Sequence, residues 1–231
     1  MLPILSAENI TKDYGKEKVI KGITLTLYQE TFTVILGPSG SGKSTLLNIL
    51  SGMVKPATGT VKYEDKIITA LSQTELAEWR RNNIGYVFQN YMLLSNLTAE
   101  ENIKVGIAPR MTPLAFDRLT RFLEIEELLD KFPTQLSGGQ QQRVAIARAV
   151  IKGARFIFCD EATGALDEKN SKKVVELLHS LKNTFGVTIL FATHNEQIAH
   201  TANRIITMKD GRIICDMENE NPVSAKDMTW G

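Results

Sequence analysis

The feature that most restricts the fold is a glycine loop, Gly37 to Thr45 (GPSGSGKST), set between the apolar run Phe32 to Leu36 and a helical pattern that starts at Thr45. It fits G-x-x-x-x-G-K-[ST], and strand, loop and helix in that order call for an α/β framework in which a buried strand delivers the loop to a helix N-terminus. Gly37, Gly40 and Gly42 let backbone N–H groups point inward, where a side chain would block phosphate oxygens. The helix adds its free N–H groups and the positive end of its dipole to the same anion site. Lys43 can set a point charge against β and γ phosphates, and the Ser44 hydroxyl is positioned to ligate Mg²⁺. Pro38, Ser39, Ser41 and Thr45 complete the cradle.

A second apolar run, Arg155 to Cys159, ends in Asp160-Glu161 and reads as a buried parallel strand with two carboxylates at its C-terminal end. One carboxylate can hold Mg²⁺ and the next can orient and deprotonate an attacking water, the division of labour that phosphoryl transfer to water needs. Between the two strands lies Leu136 to Arg143, LSGGQQQR. Ser137 suits a helix N-cap and Gly138 and Gly139 leave N–H groups open. From Gln140 onward a helix can bury Val144, Ile146, Ala147 and Val150. The chain therefore carries a second helix-end anion site.

With these motifs in order, the sequence resembles the nucleotide-binding subunits of ABC transporters along nearly its whole length. The resemblance implies an α/β fold: a P-loop NTPase core with a mostly parallel sheet, an antiparallel β layer and an inserted helical lobe. It implies ATP and Mg²⁺ as cofactors, with Tyr14 stacking on adenine. Gln89 would reach Mg²⁺, together with Ser44 and Asp160, and report to a membrane partner. Glu161 would be the general base, and His194 would contact the γ-phosphate. Asp167 would lie on a loop crossing to a second subunit. Ser137, Gly138, Gly139 and Gln140 would close over the γ-phosphate held by that second subunit, so that two chains sandwich two ATP molecules. The expected partners are a transmembrane permease and a second ATP-binding subunit, as a homodimer.

Within the family, SGGQQQRVAIARA and FQNYMLLSNLTAEENI look most like the group of lipoprotein-release, macrolide-export, antimicrobial-peptide-resistance and cell-division ATPases. The resemblance thus implies an ATPase engine for export of, or resistance to, a peptide or hydrophobic compound. A regulatory ATPase that signals through a membrane partner is the alternative. Two positions depart from the family pattern: Ala162 replaces a proline, and Glu30 replaces a glycine, which suggests an altered turn before the phosphate-loop strand.

With 27 basic and 26 acidic side chains in 231 residues, the charge is nearly balanced and leaves no polyanion-binding footprint, so no nucleic acid partner is expected. No segment approaches the roughly 18 apolar residues that span a bilayer, and MLPILSAENI lacks the charged start and long apolar stretch of a signal peptide. The chain is expected in the cytoplasm, at the inner face of the membrane, touching it only through the permease. Cys159 and Cys215 read as small core residues in a reducing compartment.

The expected organisation is a single nucleotide-binding domain over 1–231, with an ATP-binding core from 1–90 and 150–231 and a helical lobe at 91–149. In the core the segments KVIKGITLTLY and GTVKYEDKII read as strands and SQTELAEWRRN as a helix. Pro109, Pro113 and Pro133 punctuate the lobe, in which LAFDRLTRFLEIEELLDKF reads as helix. Asp210-Gly211 marks a closing hairpin, and the last dozen residues are expected to be loosely held. Tyr91 to Leu94 are the candidate permease contact, shared with packing of the lobe. His179 and His200 are ordinary packing or surface residues.

Overall fold

The computed structural model describes residues 2–107 and 113–229. Two long strands, β1 (Pro3–Tyr14) and β2 (Glu17–Tyr28), open the chain, and the short β3 (Phe32–Leu36) then feeds the glycine loop and α1 (Lys43–Leu50). β4 (Thr58–Tyr63), β5 (Lys66–Ile67), α2 (Gln73–Asn83) and β6 (Ile84–Phe88) follow. Three helices come next: α3 (Ala99–Lys104), α4 (Phe116–Phe122) and α5 (Gly138–Val150). The chain then returns through β7 (Phe156–Asp160), α6 (Glu168–Phe185), β8 (Thr188–Thr193), α7 (Glu196–His200) and the hairpin β9 (Arg204–Lys209) and β10 (Arg212–Glu218).

One antiparallel sheet has the order β2-β1-β4-β5, and a six-stranded sheet has the order β10-β9-β3-β8-β7-β6. In the larger sheet every neighbouring pair is parallel except the β9–β10 hairpin. Register decides where chemistry can occur. Leu36 pairs with Thr193, and Asp160 pairs with Ala192. Gly37, Glu161 and His194 therefore leave the sheet side by side at the carboxyl ends of β3, β7 and β8, where open α/β sheets bind ligands.

The strands are near-continuous apolar runs because both faces of the larger sheet are covered. Phe32, Val34, Ile157, Cys159, Ile189 and Phe191 pack on one side in a cluster that also holds residues of α3, α4, α5 and α6. Ile35, Phe156, Phe158, Leu190 and Ala192 pack on the other with α1 and the antiparallel sheet. Phe32, Phe156, Phe158 and Phe191 are fully buried, and each such side chain contributes about 1.5–3 kcal/mol by leaving water.

Helix starts follow the sequence closely. Ser72 with Glu75, Thr98 with Glu101, and Ser137 with Gln140 form reciprocal capping boxes at α2, α3 and α5. Fully buried Asn102 in α3 receives Leu94 N–H and donates to the carbonyls of Leu94, Leu97 and Thr98, which shapes the loop entering that helix.

Three expectations are corrected. The stretch LAFDRLTRFLEIEELLDKF is not one helix: α4 ends at Phe122, Glu124 turns left-handed at φ 53, and only a 3-10 turn, Glu126–Leu128, resumes. The break lets Leu123, Ile125 and Leu128 all reach the core, which a straight helix could not do. Cys215 is exposed, because β10 is an edge strand with an uncovered face, whereas Cys159 is buried as expected. The tail is tied down rather than loose: Ala225 and Met228 are buried, Val223 N–H donates to His200 O, and Asn219 bonds the carbonyls of His200 and Ala202. At the position of the family's glycine, Glu30 adopts φ 57, a left-handed conformation that favours glycine, with its N–H donating to Thr188 Oγ1. Pro109 and Trp230 lie outside the described residues.

Candidate functional site

The glycine loop owes its shape to two features. Gly40 and Gly42 have φ 79 and 98, which L side chains rarely adopt, and a β-carbon on Gly37 would collide with Met208 O. Lys43, buried at the start of α1, donates through Nζ to Gly37 O at 2.8 Å and Pro38 O at 3.0 Å, closing the loop on itself. Its amino group also lies 3.5 Å from Glu161 Oε1.

Opposite the loop, the Ser44 hydroxyl donates to Asp160 Oδ1 at 2.7 Å. Burial holds the Asp160 carboxyl above its ordinary range and the charge of Glu161 adds to this, while the Ser44 bond and Lys43 pull the other way. The other oxygen of Glu161 lies 3.0 Å from His194 Nδ1. Glu161 has φ 49 and its N–H donates to Ala192 O, so strained backbone aims its carboxylate between Lys43 and His194. Gln89 is exposed and lies against Gly164, where any β-carbon would meet its Nε2 at 2.7 Å.

Lys43, Ser44, Gln89, Glu161 and His194 line one cleft of about 550 Å³. A cation at the base of the loop, a hydroxyl–carboxylate pair and an acid bonded to an imidazole suit a polyphosphate with a hard cation. The oxygens of Ser44 and Asp160 are the donors that Mg²⁺ prefers, and Mg²⁺ is usually held by one or two carboxylates plus substrate phosphates rather than by an all-protein cage. Among the described residues no group of three or more His, Cys, Asp or Glu side chains could hold a metal ion.

Other predicted residues stand apart from this cleft. Tyr14, half exposed at the end of β1, has Lys12 Nζ 5.3 Å from its ring centroid. Ser137 caps α5 by accepting from Gln140 N, and Gln140 Oε1 accepts from Ser137 N at 2.8 Å. β-Carbons on Gly138 and Gly139 would meet Tyr91 Oη at 2.7 Å and Asn170 Oδ1 at 2.9 Å. Asp167 caps α6 through Asn170 N, and its bonds from Asn170 hold its carboxyl below the ordinary range. None of Tyr14, Ser137, Gly138, Gly139, Gln140 and Asp167 lines the cleft that holds Lys43.

Sequence reasoning missed the part of the cleft formed by Lys18, Val19, Lys21 and the Asp210-Gly211 turn. Gly211 N–H donates to Ser41 O and its carbonyl accepts from Lys21 N–H, so the last hairpin braces the phosphate loop through the backbone. A β-carbon on Gly211 would collide with Val19 O. The only available signal was the Asp-Gly dipeptide, which marks a turn and not its neighbour.

The family profile described as ABC transporter matches residues 20–164. The chain is 42% identical over 229 residues to the macrolide export ATP-binding/permease protein MacB of Marinobacter nauticus, covering 95% of this chain and 35% of that protein. It spans between about a third and a half of the length of the curated relatives it matches. Two solved structures of the ATP-binding cassette MJ0796 are 36% identical and cover 94% of this chain and 99% of theirs. One, a dimeric post-hydrolysis state bound to ADP and Pi, superposes with a TM-score of 0.84, and the other, dimeric, with 0.86.

Proposed function

The chain belongs to the ABC transporter family, and on that premise we propose that it binds and hydrolyses ATP, pairs with a second ATP-binding subunit and drives a membrane permease from the cytoplasmic face. The observation that carries the reading is the convergence of Lys43, Ser44, Asp160, Glu161 and His194 at one sheet edge. The macrolide-export name of the MacB relative supports export of a hydrophobic compound or peptide as the work done. Residues 1–90 and 150–231 form the ATP-binding core in this reading, and 91–149 form the lobe that meets the permease.

Each side chain has a task set by its surroundings. The loop N–H groups and the dipole of α1 receive the phosphates, and Lys43 exchanges its bonds to Gly37 and Pro38 for phosphate oxygens. That exchange frees Glu161 from its ion pair, so its carboxylate can take the proton of an attacking water while His194 stays within reach of both. Ser44 and Asp160, with Gln89, would hold Mg²⁺, which would neutralise charge on the β and γ phosphates. Tyr14 would flank the adenine. Ser137, Gly138, Gly139, Gln140 and Asp167 would act on ATP held by the partner subunit.

The permease contact is assigned to the segment after Gln89. Met92 and Leu94 are 60% and 46% exposed, whereas Leu93 packs against the core, so the stretch divides between docking and packing. Among the described residues no helix is long and apolar enough to cross a membrane.

The test is Glu161→Gln, which keeps size and removes the base. Turnover is expected to fall about 100-fold to 10,000-fold with ATP binding retained, and size-exclusion chromatography with ATP and Mg²⁺ should show an accumulated dimer. Hydrolysis within about threefold of wild type, well inside that range, would place the base elsewhere.

A further inference from the structure

The backbone after Gln89 takes an uncommon form. Tyr91 and Met92 have φ 56 and 51, two successive non-glycine residues in left-handed conformation. Such residues persist only where their surroundings over-determine them. Met92 is largely exposed, so packing of its own side chain does not fix it.

Besides the local bond from Met92 N–H to Asn90 O, the turn is held by one side chain of α5. Arg148 donates from Nη1 to Met92 O at 2.6 Å and from Nη2 to Tyr91 O at 2.8 Å. The guanidinium fork thus grips the two carbonyls that the left-handed turn brings to one side. Burial of Arg148 lowers its proton affinity, and of the two bonds the one to Tyr91 O is partly buried while the one to Met92 O is exposed. At the other end of the same helix, the Tyr91 hydroxyl lies against Gly138, while Tyr91 N–H donates to Phe88 O. The segment from Phe88 to Met92 is therefore pinned at both ends of α5, and Gln89 sits inside it.

We infer that Arg148 is a positioning residue for Gln89: its grip on the Tyr91–Met92 turn sets where the Gln89 amide stands in the nucleotide cleft. Without the guanidinium the turn relaxes to ordinary φ values, and the adjoining Gln89 leaves its place against Gly164. The inference rests on the reading of Gln89 as a residue that acts at the Mg²⁺ and phosphate site. It assigns to the helix that starts at Ser137 a second task within its own subunit.

The experiment measures steady-state ATP hydrolysis, Mg²⁺ half-saturation, affinity for a fluorescent ATP analogue and thermal unfolding of the full chain and its variants. Arg148→Ala is expected to lower kcat by about 10-fold to 100-fold, the scale of a misplaced reacting group, and to raise the Mg²⁺ requirement, with ATP affinity nearly unchanged. Arg148→Lys should share the defect, because one ammonium cannot replace a planar fork. Adding Met92→Gly to Arg148→Ala should restore part of the rate, since glycine takes the left-handed conformation without strain. Gln89→Ala separates the two readings. If it leaves kcat and Mg²⁺ dependence unchanged, the role of Gln89 falls and the inference falls with it. If Gln89→Ala is defective while Arg148→Ala turns over at the wild-type rate, the inference alone is overturned. A parallel loss of melting temperature and ATP affinity in Arg148→Ala, unrelieved by Met92→Gly, would reduce Arg148 to a packing residue and also overturn it.

Discussion

Both glycine loops open a helix, and they differ in where their polar groups are directed. The loop at Gly37–Thr45 turns Lys43 and Ser44 toward acids of its own chain, Glu161 at 3.5 Å and Asp160 at 2.7 Å, inside a formed cleft. The loop at Ser137–Gln140 turns its side chains back on its own helix, in a capping box, and its glycines serve close packing against Tyr91 and Asn170. The first loop is a site with its counter-groups already in place. The second is a well-made helix start whose side chains lie outside the cleft that holds Lys43. Similar local sequence thus yields a lined cleft in one case and a packed helix cap in the other.

The comparison is tested most severely at Lys43. Lys43→Ala removes the cation that bridges loop and acid, and ATP affinity should fall at least about 10-fold, since hydrogen bonds to charged groups are worth about 1.5–3 kcal/mol. Wild-type affinity, measured with a fluorescent analogue, would break the claim that the first loop is complete within the chain. A smaller effect on binding, and a large one on assembly, is expected from Ser137→Arg. ATP should bind the monomer within about twofold of wild type, because the residue lies outside the cleft, while analytical ultracentrifugation should show no ATP-dependent dimer; one capping interaction of typically about 1 kcal/mol is also lost. Equal loss of binding and assembly would mean that the second loop serves its own chain's nucleotide.

The smallest effect provides a baseline remote from both loops. His179 is stacked on Phe32 at 4.1 Å between ring centroids and bonded to Thr201, and burial lowers its pKa to about 4. An unfolded histidine titrates near 6.5, so between about 6.5 and about 4 the unfolded chain binds a proton that the folded chain refuses. Stability is then fully present above that window and declines as pH falls through it, by about 1–3 kcal/mol. Urea melts at successive pH values should show the decline in the wild type and a shallower one in His179→Phe. Identical pH profiles would mean that His179 titrates normally.

Much of the site was legible because it is written in contiguous residues whose backbone context is local. A strand, a glycine loop and a helix, or an apolar run ending in two acids, fix their own geometry, and parallel register then aligns Gly37, Glu161 and His194. Ser137 as a cap was legible for the same reason. Arg148, Lys21 and Gly211 were not, since their partners are backbone atoms far away in sequence and any residue type could supply those atoms. The helix break at Glu124, the exposure of Cys215 and the anchored tail were missed because each depends on which face a neighbouring element leaves open.

The bracing of the phosphate loop by the last hairpin has a consequence for how the protein comes into being. β3 lies between β8 and β9, and the loop it delivers leans on Met208 and Gly211. All of these partners emerge from the ribosome long after the glycine motif itself. During vectorial synthesis the motif therefore waits, from its own emergence until β9 and the following turn are made, without the frame that shapes it, and pairings of such long sequence separation form late. The loop thus acquires its frame only once the β9–β10 hairpin has been made, and a nascent chain halted before β9 carries the motif while lacking that brace.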